Sequence, residues 1–326
     1  TSFLGKYGYD DRDRFLNSIS FEKFSNRSSL RASTLYHTSL RDSNTVEPLV
    51  LPDLRYRKYR KLKNSGLLLN EKYSLVGISR REGTGYSRLS ADLELSKSWQ
   101  IENGLIVRGT GNILTAAYSE NNINTERYLL KVYPLGALEF KYPFFRARNN
   151  KSEVLIPVAQ VVYSTDASSP EHPIDEDSST TEFDSTTLFK LRKIPGIDRQ
   201  ENGLRLNAGL QYLYEHKNNY KYTINLGQVY RNKNSEDFLP SSGLNGYESD
   251  ILLSGNLSFR KNLEIASKQV YSKNFTLKRS NTSLKLTKPR YQIKTSLTNL
   301  VSDPSEGTST DLKELTLNLN SSFSKN

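Results

Sequence analysis

With 326 residues the chain is long enough for one large β architecture or two ordinary domains, and 46 Lys and Arg against 35 Asp and Glu leave a net charge of +11. That excess favours an anionic partner, whether nucleic acid, a lipid headgroup or a phosphorylated glycan. The lack of cysteine excludes disulfides, thiolate metal sites and Cys nucleophiles. No apolar run approaches the ~18 residues of a spanning helix, whereas a barrel strand needs only every second residue apolar.

The chain opens TSFLGKYGYD with no basic-then-apolar leader and contains no methionine, so the expectation is an internal or processed piece. From there a period of two dominates. Strands are expected at 13–24, 28–41, 50–60, 67–80, 86–101, 104–119, 127–141, 153–164, 202–215, 219–231, 249–260, 263–271, 275–287, 291–301 and 312–323, roughly fifteen in all. In the fifth, Leu89, Ala91, Leu93, Leu95, Trp99 and Ile101 alternate with Arg88, Ser90, Asp92 and Glu94. In the ninth, Leu204, Leu206, Ala208 and Leu210 alternate with Arg205, Asn207 and Gly209. Many spans exceed the ~5–6 residues usual in soluble sheets and approach the ~9–11 that cross a bilayer when tilted.

The connections alternate too. SNRS (25–28), ENG (102–104), EHKNN (215–219), KNL (261–263) and KPR (288–290) are short. RDSNTVEPL (41–49), SENNINTE (119–126), 165–200, 232–249 and SDPSEGTSTDL (302–312) are longer. Short periplasmic turns and long extracellular loops are the habit of outer-membrane barrels. PFFRARNNKSE (143–153), read as a turn region, is the poor fit. The expected fold is therefore all-β, an antiparallel transmembrane barrel or a large open curved segment of one. A soluble sheet with one wet face would give the alternation without the loop asymmetry.

Signals for chemistry are weak. The histidines, His37, His172 and His216, fall in a strand, a long loop and a short turn, none beside a nucleophile-elbow pattern. GTG (109–111) lies within a strand pattern and opens no helix, so it is no phosphate loop. LRYRKYRKLK (54–63) mixes bases with aromatics as nucleic-acid binders do, yet its alternation reads as a strand with a basic face. Arg55, Arg57 and Arg205 are thus candidate lumen contacts for phosphate, or partners of acids such as Asp92 and Glu94. The acidic run PIDEDSSTTEFDS (173–185) lacks calcium-loop spacing, leaving a solvated acidic loop or a loose divalent-ion site.

A resemblance sharpens this. PVAQVVYS (157–164), PIDEDS, EFDSTTLF (182–189), IPGIDRQENGLRLNAGL (194–210) and LGQVYR (226–231) closely resemble a block of the LptD family of lipopolysaccharide-assembly proteins, the alphaproteobacterial branch fitting best. FLGKYGYDDRDRFLNS near the start, EPLVLPDLRY (47–56), RREGTGYSRLS (80–90) and SGLNGYESD (242–250) resemble other family segments. Two positions depart from the family pattern: IDEDS (174–178) carries an extra acid where the family has Asn-Glu-Asp, Ile174 displacing the Asn, and Thr187 replaces the usual Asn before Leu188.

The resemblance implies transport and not catalysis, with no catalytic, cofactor or metal residues. Lipopolysaccharide would be inserted into the outer leaflet of the Gram-negative outer membrane through a barrel with a lateral gate. An LptE-type lipoprotein plug and the periplasmic bridge protein LptA are the implied partners, and nucleic acid is not one. Residues 1–326 would be an incomplete barrel domain, lacking the family's N-terminal jelly roll, first strands and closing strands. The 165–200 loop would be extracellular, anchored through Asp175, Asp177, Ser178, Phe183, Asp184, Leu188, Phe189, Gly196, Asp198, Arg199 and Gly203. The competing classes are another outer-membrane barrel, such as a porin or receptor, and a soluble β-rich binder of anionic polymers.

Overall fold

The computed structural model describes residues 14–39, 47–122, 125–168, 170–178, 181–235, 237–260, 262–302 and 310–321. These residues form β1 (Arg14–Ser25), β2 (Ser28–Ser39), β3 (Leu49–Lys61), β4 (Leu68–Ser79), β5 (Gly85–Gln100), β6 (Ile106–Asn122), β7 (Thr125–Lys141) and β8 (Phe144–Arg148). They continue with β9 (Lys151–Ser164), β10 (Gly203–His216), β11 (Tyr220–Arg231), β12 (Ile251–Phe259), β13 (Leu263–Tyr271), β14 (Leu277–Thr287), β15 (Tyr291–Leu300) and β16 (Leu312–Ser321). One 3-10 turn at Pro240–Ser242 is the sole helical element among the described residues.

The strands make one 16-stranded sheet in the order β1 to β7, then β9 to β16, with β8 pairing β9 off this path. Fifteen places in the order answer the fifteen expected strands. The surplus strand, β8, corrects the reading of 143–153 as a turn. It pairs antiparallel with the start of β9, from Phe144↔Leu155 to Arg148↔Lys151. Since β7 also borders β9, β8 takes up β7's place after the break at Tyr142–Pro143. Pro143 brings no N–H to a ladder, which is why the strand is interrupted there. Asn149, in the left-handed region (φ 52), turns the chain back into β9.

Long and short connections separate much as expected. Residues 217–219 and 288–290 are tight turns, whereas 165–202, 232–250 and 301–311 are long. The exception is SENNINTE, expected as a longer loop. Its residues run on in β6 to Asn122 and resume in β7 at Thr125, leaving only 123–124, which lie outside the described residues.

Contacts divide the chain into two units, one of Thr1–Lys97, Thr110–Leu135 and Asp166–Glu176, the other of Ser98–Gly109, Gly136–Thr165 and Asp177–Asn326. Within each, strands bury polar side chains on one face and expose leucines on the other. In the first unit Arg88 and Ser90 of β5 are each 5% exposed, while Leu89 between them is 59% exposed. In the second, Asn207 of β10 is fully buried and its neighbour Leu206 is 38% exposed. A water-soluble sheet hides its apolar face and wets the other. Here Leu89 and Leu206 lie on the exposed face, as leucines do on the lipid-facing side of an outer-membrane strand.

Aromatic rings mark one rim of that face in the second unit. Tyr214 stacks on Tyr222 at 4.6 Å, Tyr220 meets Phe259 edge-on at 4.6 Å, and Tyr142 packs on Phe144 at 4.8 Å. All lie beside the tight connections 142–143, 217–219 and 260–262. At the opposite ends of β9 and β11, Tyr163 and Tyr230 are exposed. Leu204, the cross-strand partner of Tyr163, is about ten residues from Tyr214, or ~34 Å along an antiparallel strand. A strand tilt of about 40° reduces this to about 26 Å, close to the ~25 Å apolar band of an outer-membrane barrel.

Candidate functional site

The long connection 165–202 carries most of the candidate residues, and several of its carboxylates pair with basic residues on or beside the strands. In the first unit, Lys131 of β7 is fully buried and donates from Nζ to Asp166 Oδ2 (2.6 Å) and to the carbonyl of Glu171 (2.8 Å). Arg80 holds Glu176 with two bonds of 2.9 and 2.7 Å, the paired geometry that makes Arg–carboxylate contacts strong. Glu120 accepts the Ile174 N–H at 2.6 Å and the Arg127 side chain. Arg127 in turn donates to the carbonyl of His172 at 2.8 Å. Asp175 is exposed in the same stretch.

In the second unit, Asp177 Oδ1 accepts the backbone N–H groups of Ile197 (2.9 Å) and Asp198 (3.1 Å), and Ser178 Oγ accepts that of Arg199 (3.0 Å). This closeness explains Gly196. Its φ of +84° favours glycine, and a Cβ there would overlap Asp177. Gly203, at φ +111°, stands where a Cβ would come within 2.8 Å of Lys233 Cε. Arg199 reaches across to the carbonyl of Asp237 at 2.9 Å, and Asp198 is buried.

Asp184 starts a tight turn. Its Oδ1 accepts the N–H groups of Thr186 (2.8 Å) and Thr187 (3.0 Å), and Thr187 Oγ1 accepts the Asp184 N–H (2.9 Å). Thr187, a departure from the family's Asn, thus does a polar job at this turn. Burial opposes ionisation of Asp184, but the bonds from Thr186 and Lys268 outweigh it and hold the carboxyl below its ordinary value. Lys268 of β13 pairs with it at 3.1 Å, and Arg279 of β14 approaches Glu182 at 3.5 Å. The turn buries Phe183 and Leu188 and packs Phe189 against them.

Behind the turn sits a charged cluster of which the sequence pattern singles out Arg205 alone, as a candidate phosphate contact. Lys193 is buried and donates from Nζ to the carbonyls of Leu188 (2.7 Å) and Lys190 (3.2 Å). Burial, with Arg205 and Arg231 nearby, pushes its pKa well below the ordinary lysine value despite Glu201. Glu201 lies between the two arginines, 2.6 Å from Arg231 Nε and 3.5 Å from Arg205 Nε. Burial disfavours its charge, yet Arg205, Arg231 and Lys193 hold its carboxyl below the usual range. Arg205 also donates to Ser164 Oγ (3.1 Å) and to the carbonyl of Leu191. Gln160 of β9 completes the set, donating to the carbonyl of Phe189 (3.1 Å) and accepting from Asn207 (2.6 Å).

The three candidate phosphate contacts therefore sit in different settings. Arg205 is almost fully buried beneath the connection. Arg55 and Arg57 are exposed on β3, in the basic stretch expected to be a strand. Arg55 is directly opposite Arg31 and pairs with Asp53 at 2.8 Å, and Arg57 is opposite Lys72. Asp92, considered as a partner for these arginines, instead binds Lys72 (2.8 Å) and Asn112 (2.5 Å). Away from the connection, the polar face of β11–β16 is an open groove of about 660 Å³ lined by Lys221, Thr223, Ser283, Lys285, Lys294 and Ser296 among others.

Comparison with individual curated proteins gives no match. A family model described as LptD, LPS transport system D, matches residues 5–326. With leucines turned outward, a long acidic connection pinned by buried arginines and lysines, and a match along nearly its whole length, the chain belongs to the LptD family, the outer-membrane proteins that transport and assemble lipopolysaccharide.

Proposed function

We propose that residues 1–326 form part of the membrane-spanning barrel domain of a lipopolysaccharide translocon in the Gram-negative outer membrane. Lipopolysaccharide arrives from a periplasmic LptA bridge and leaves into the outer leaflet through a lateral opening between strands. An LptE-type lipoprotein occupies the lumen, and the 165–200 connection lies on the extracellular side. The observation that carries the reading is the inverted burial of the strands, since exposed leucines beside buried Arg88 and Asn207 suit a lipid-facing wall. The aromatic rims, spaced for a ~25 Å apolar band, support it further. Membership of the family favours this over a porin or receptor, and the inverted faces count against a soluble binder of anionic polymers.

Within this reading Arg55 and Arg57, with Arg31 and Lys72 opposite, form a basic patch on the polar face that guides the phosphates of lipid A. A photo-crosslinker placed at Arg55 or Arg57 in living cells is expected to capture lipopolysaccharide. Adducts elsewhere on the polar face, with none at these two positions, would remove the patch from the path. Topology is tested with a cysteine at Glu182, an exposed position in the connection. A membrane-impermeant maleimide should label it on intact cells, and labelling only after permeabilisation would reverse the orientation.

A further inference from the structure

β9–β14 leave many of their leucines on the exposed face, and segment 181–200 gathers the few apolar side chains of the other face into one cluster. Phe183, Leu188 and Ile194 pack with Val229 of β11, Leu252 of β12 and Val270 of β13, together with Phe238 and Leu244. Leu188 enters where Gly209 of β10 stands directly opposite Gly227 of β11. A Cβ on Gly227 would overlap Leu188 Cδ2. One on Gly209 would come within 2.9 Å of Phe189 Cζ and 3.2 Å of Leu188 Cδ2.

The notch exists only in one register. A slip by two residues, the smallest that keeps each face on its own side, would set Gly227 against Asn207 or Gln211 and fill half of it. The same segment also bonds Gln160 on β9, Arg205 on β10, Lys268 on β13 and Arg279 on β14. It thereby reaches six consecutive strands.

We propose that segment 181–200 is a register template for β9–β14, with Leu188 as the key that reads the Gly209–Gly227 pair. The segment joins β9 to β10, so it is available as soon as these strands meet. Its apolar side chains gain burial only if β10 and β11 pair as observed. The proposal rests on the barrel reading, but its test measures assembly and not lipopolysaccharide delivery, so the two fail separately.

The test uses the full-length protein expressed in cells, with cysteine pairs introduced across β10 and β11. Gln211 and Asn225 are direct partners, so Gln211→Cys with Asn225→Cys reports the native register, while Gln211→Cys with Thr223→Cys reports a slip. Heat-modifiable migration reports barrel formation. Gly227→Ala is expected to lower both the heat-modifiable form and the native-register crosslink. Leu188→Ala alone should lower the crosslink by removing the key. The two changes together should recover both readouts above either single variant, because the new methyl then occupies the space the leucine vacates. Unchanged crosslinking in Gly227→Ala, or a double variant no better than the singles, would overturn the proposal.

Discussion

Replacing Glu201 by glutamine keeps the side chain's shape and removes the charge between two buried guanidinium groups. The side chains of Glu201, Arg205 and Arg231 are 2%, 2% and 3% exposed, so solvent does little to screen the loss. Breaking a buried pair by removing one partner costs about 3–5 kcal/mol, because the charges left behind stay desolvated. Converted to an equilibrium, that is roughly a hundred- to a few-thousand-fold shift from the seated to the unseated connection. The assay is amide hydrogen exchange of the full-length protein in membranes, followed on peptides spanning 187–200. These include the N–H groups of Lys190, Ile197 and Asp198, bonded when the segment is seated. Adding Arg231→Met should restore part of the protection, since one fewer guanidinium then lacks a counter-charge. If exchange in Glu201→Gln stays within about threefold of the parent, a difference of well under 1 kcal/mol, the triad is not what pins the connection.

Other perturbations follow from the same geometry. Leu206→Arg on the outer face should impair assembly by about 2–4 kcal/mol if it sits near the bilayer midplane, whereas Thr223→Arg in the open polar groove should be tolerated, as judged by heat-modifiable migration. Gly196→Ala should loosen the Asp177 contact by about 1–3 kcal/mol, seen as faster exchange at Ile197 and Asp198. Asp184 and Glu201 are held below their ordinary values, so their stabilisation is complete above the unfolded carboxylate range near pH 4 and is lost only as pH falls further, through their folded values. Lys193 is a base with a lowered folded value, so the seated state binds fewer protons and should strengthen as pH rises toward about 10; Lys193→Met should abolish that alkaline slope in exchange protection.

Much of the fold was legible because period-two alternation needs no tertiary information. Leu89 beside Arg88 and Leu206 beside Asn207 announce two faces, although not which one faces out. The expected strands appear, but β8 is hidden because Pro143 breaks the pattern and FFRAR, five residues long, is too short for its alternation to stand out. Within the connection, Asp177, Phe183, Asp184, Leu188 and Gly196 stand at structurally demanding places. Lys193, Glu201 and Arg231 went unassigned because a buried charge looks the same as a solvated one until its partner strands are known. Arg205 and Asn207 share this difficulty. By pattern they belong with Glu94 on an open polar face, and only the segment folded over β10 makes them buried. The Gly209–Gly227 notch is a cross-strand coincidence, invisible until the register is set.

The central claim, that this barrel delivers lipopolysaccharide to the cell surface, is tested most directly by depleting the protein and following newly made lipopolysaccharide. The account predicts that new molecules stop reaching the outer leaflet and accumulate in the periplasm and inner membrane, while porins continue to assemble. Undiminished arrival of new lipopolysaccharide at the surface of depleted cells would contradict it.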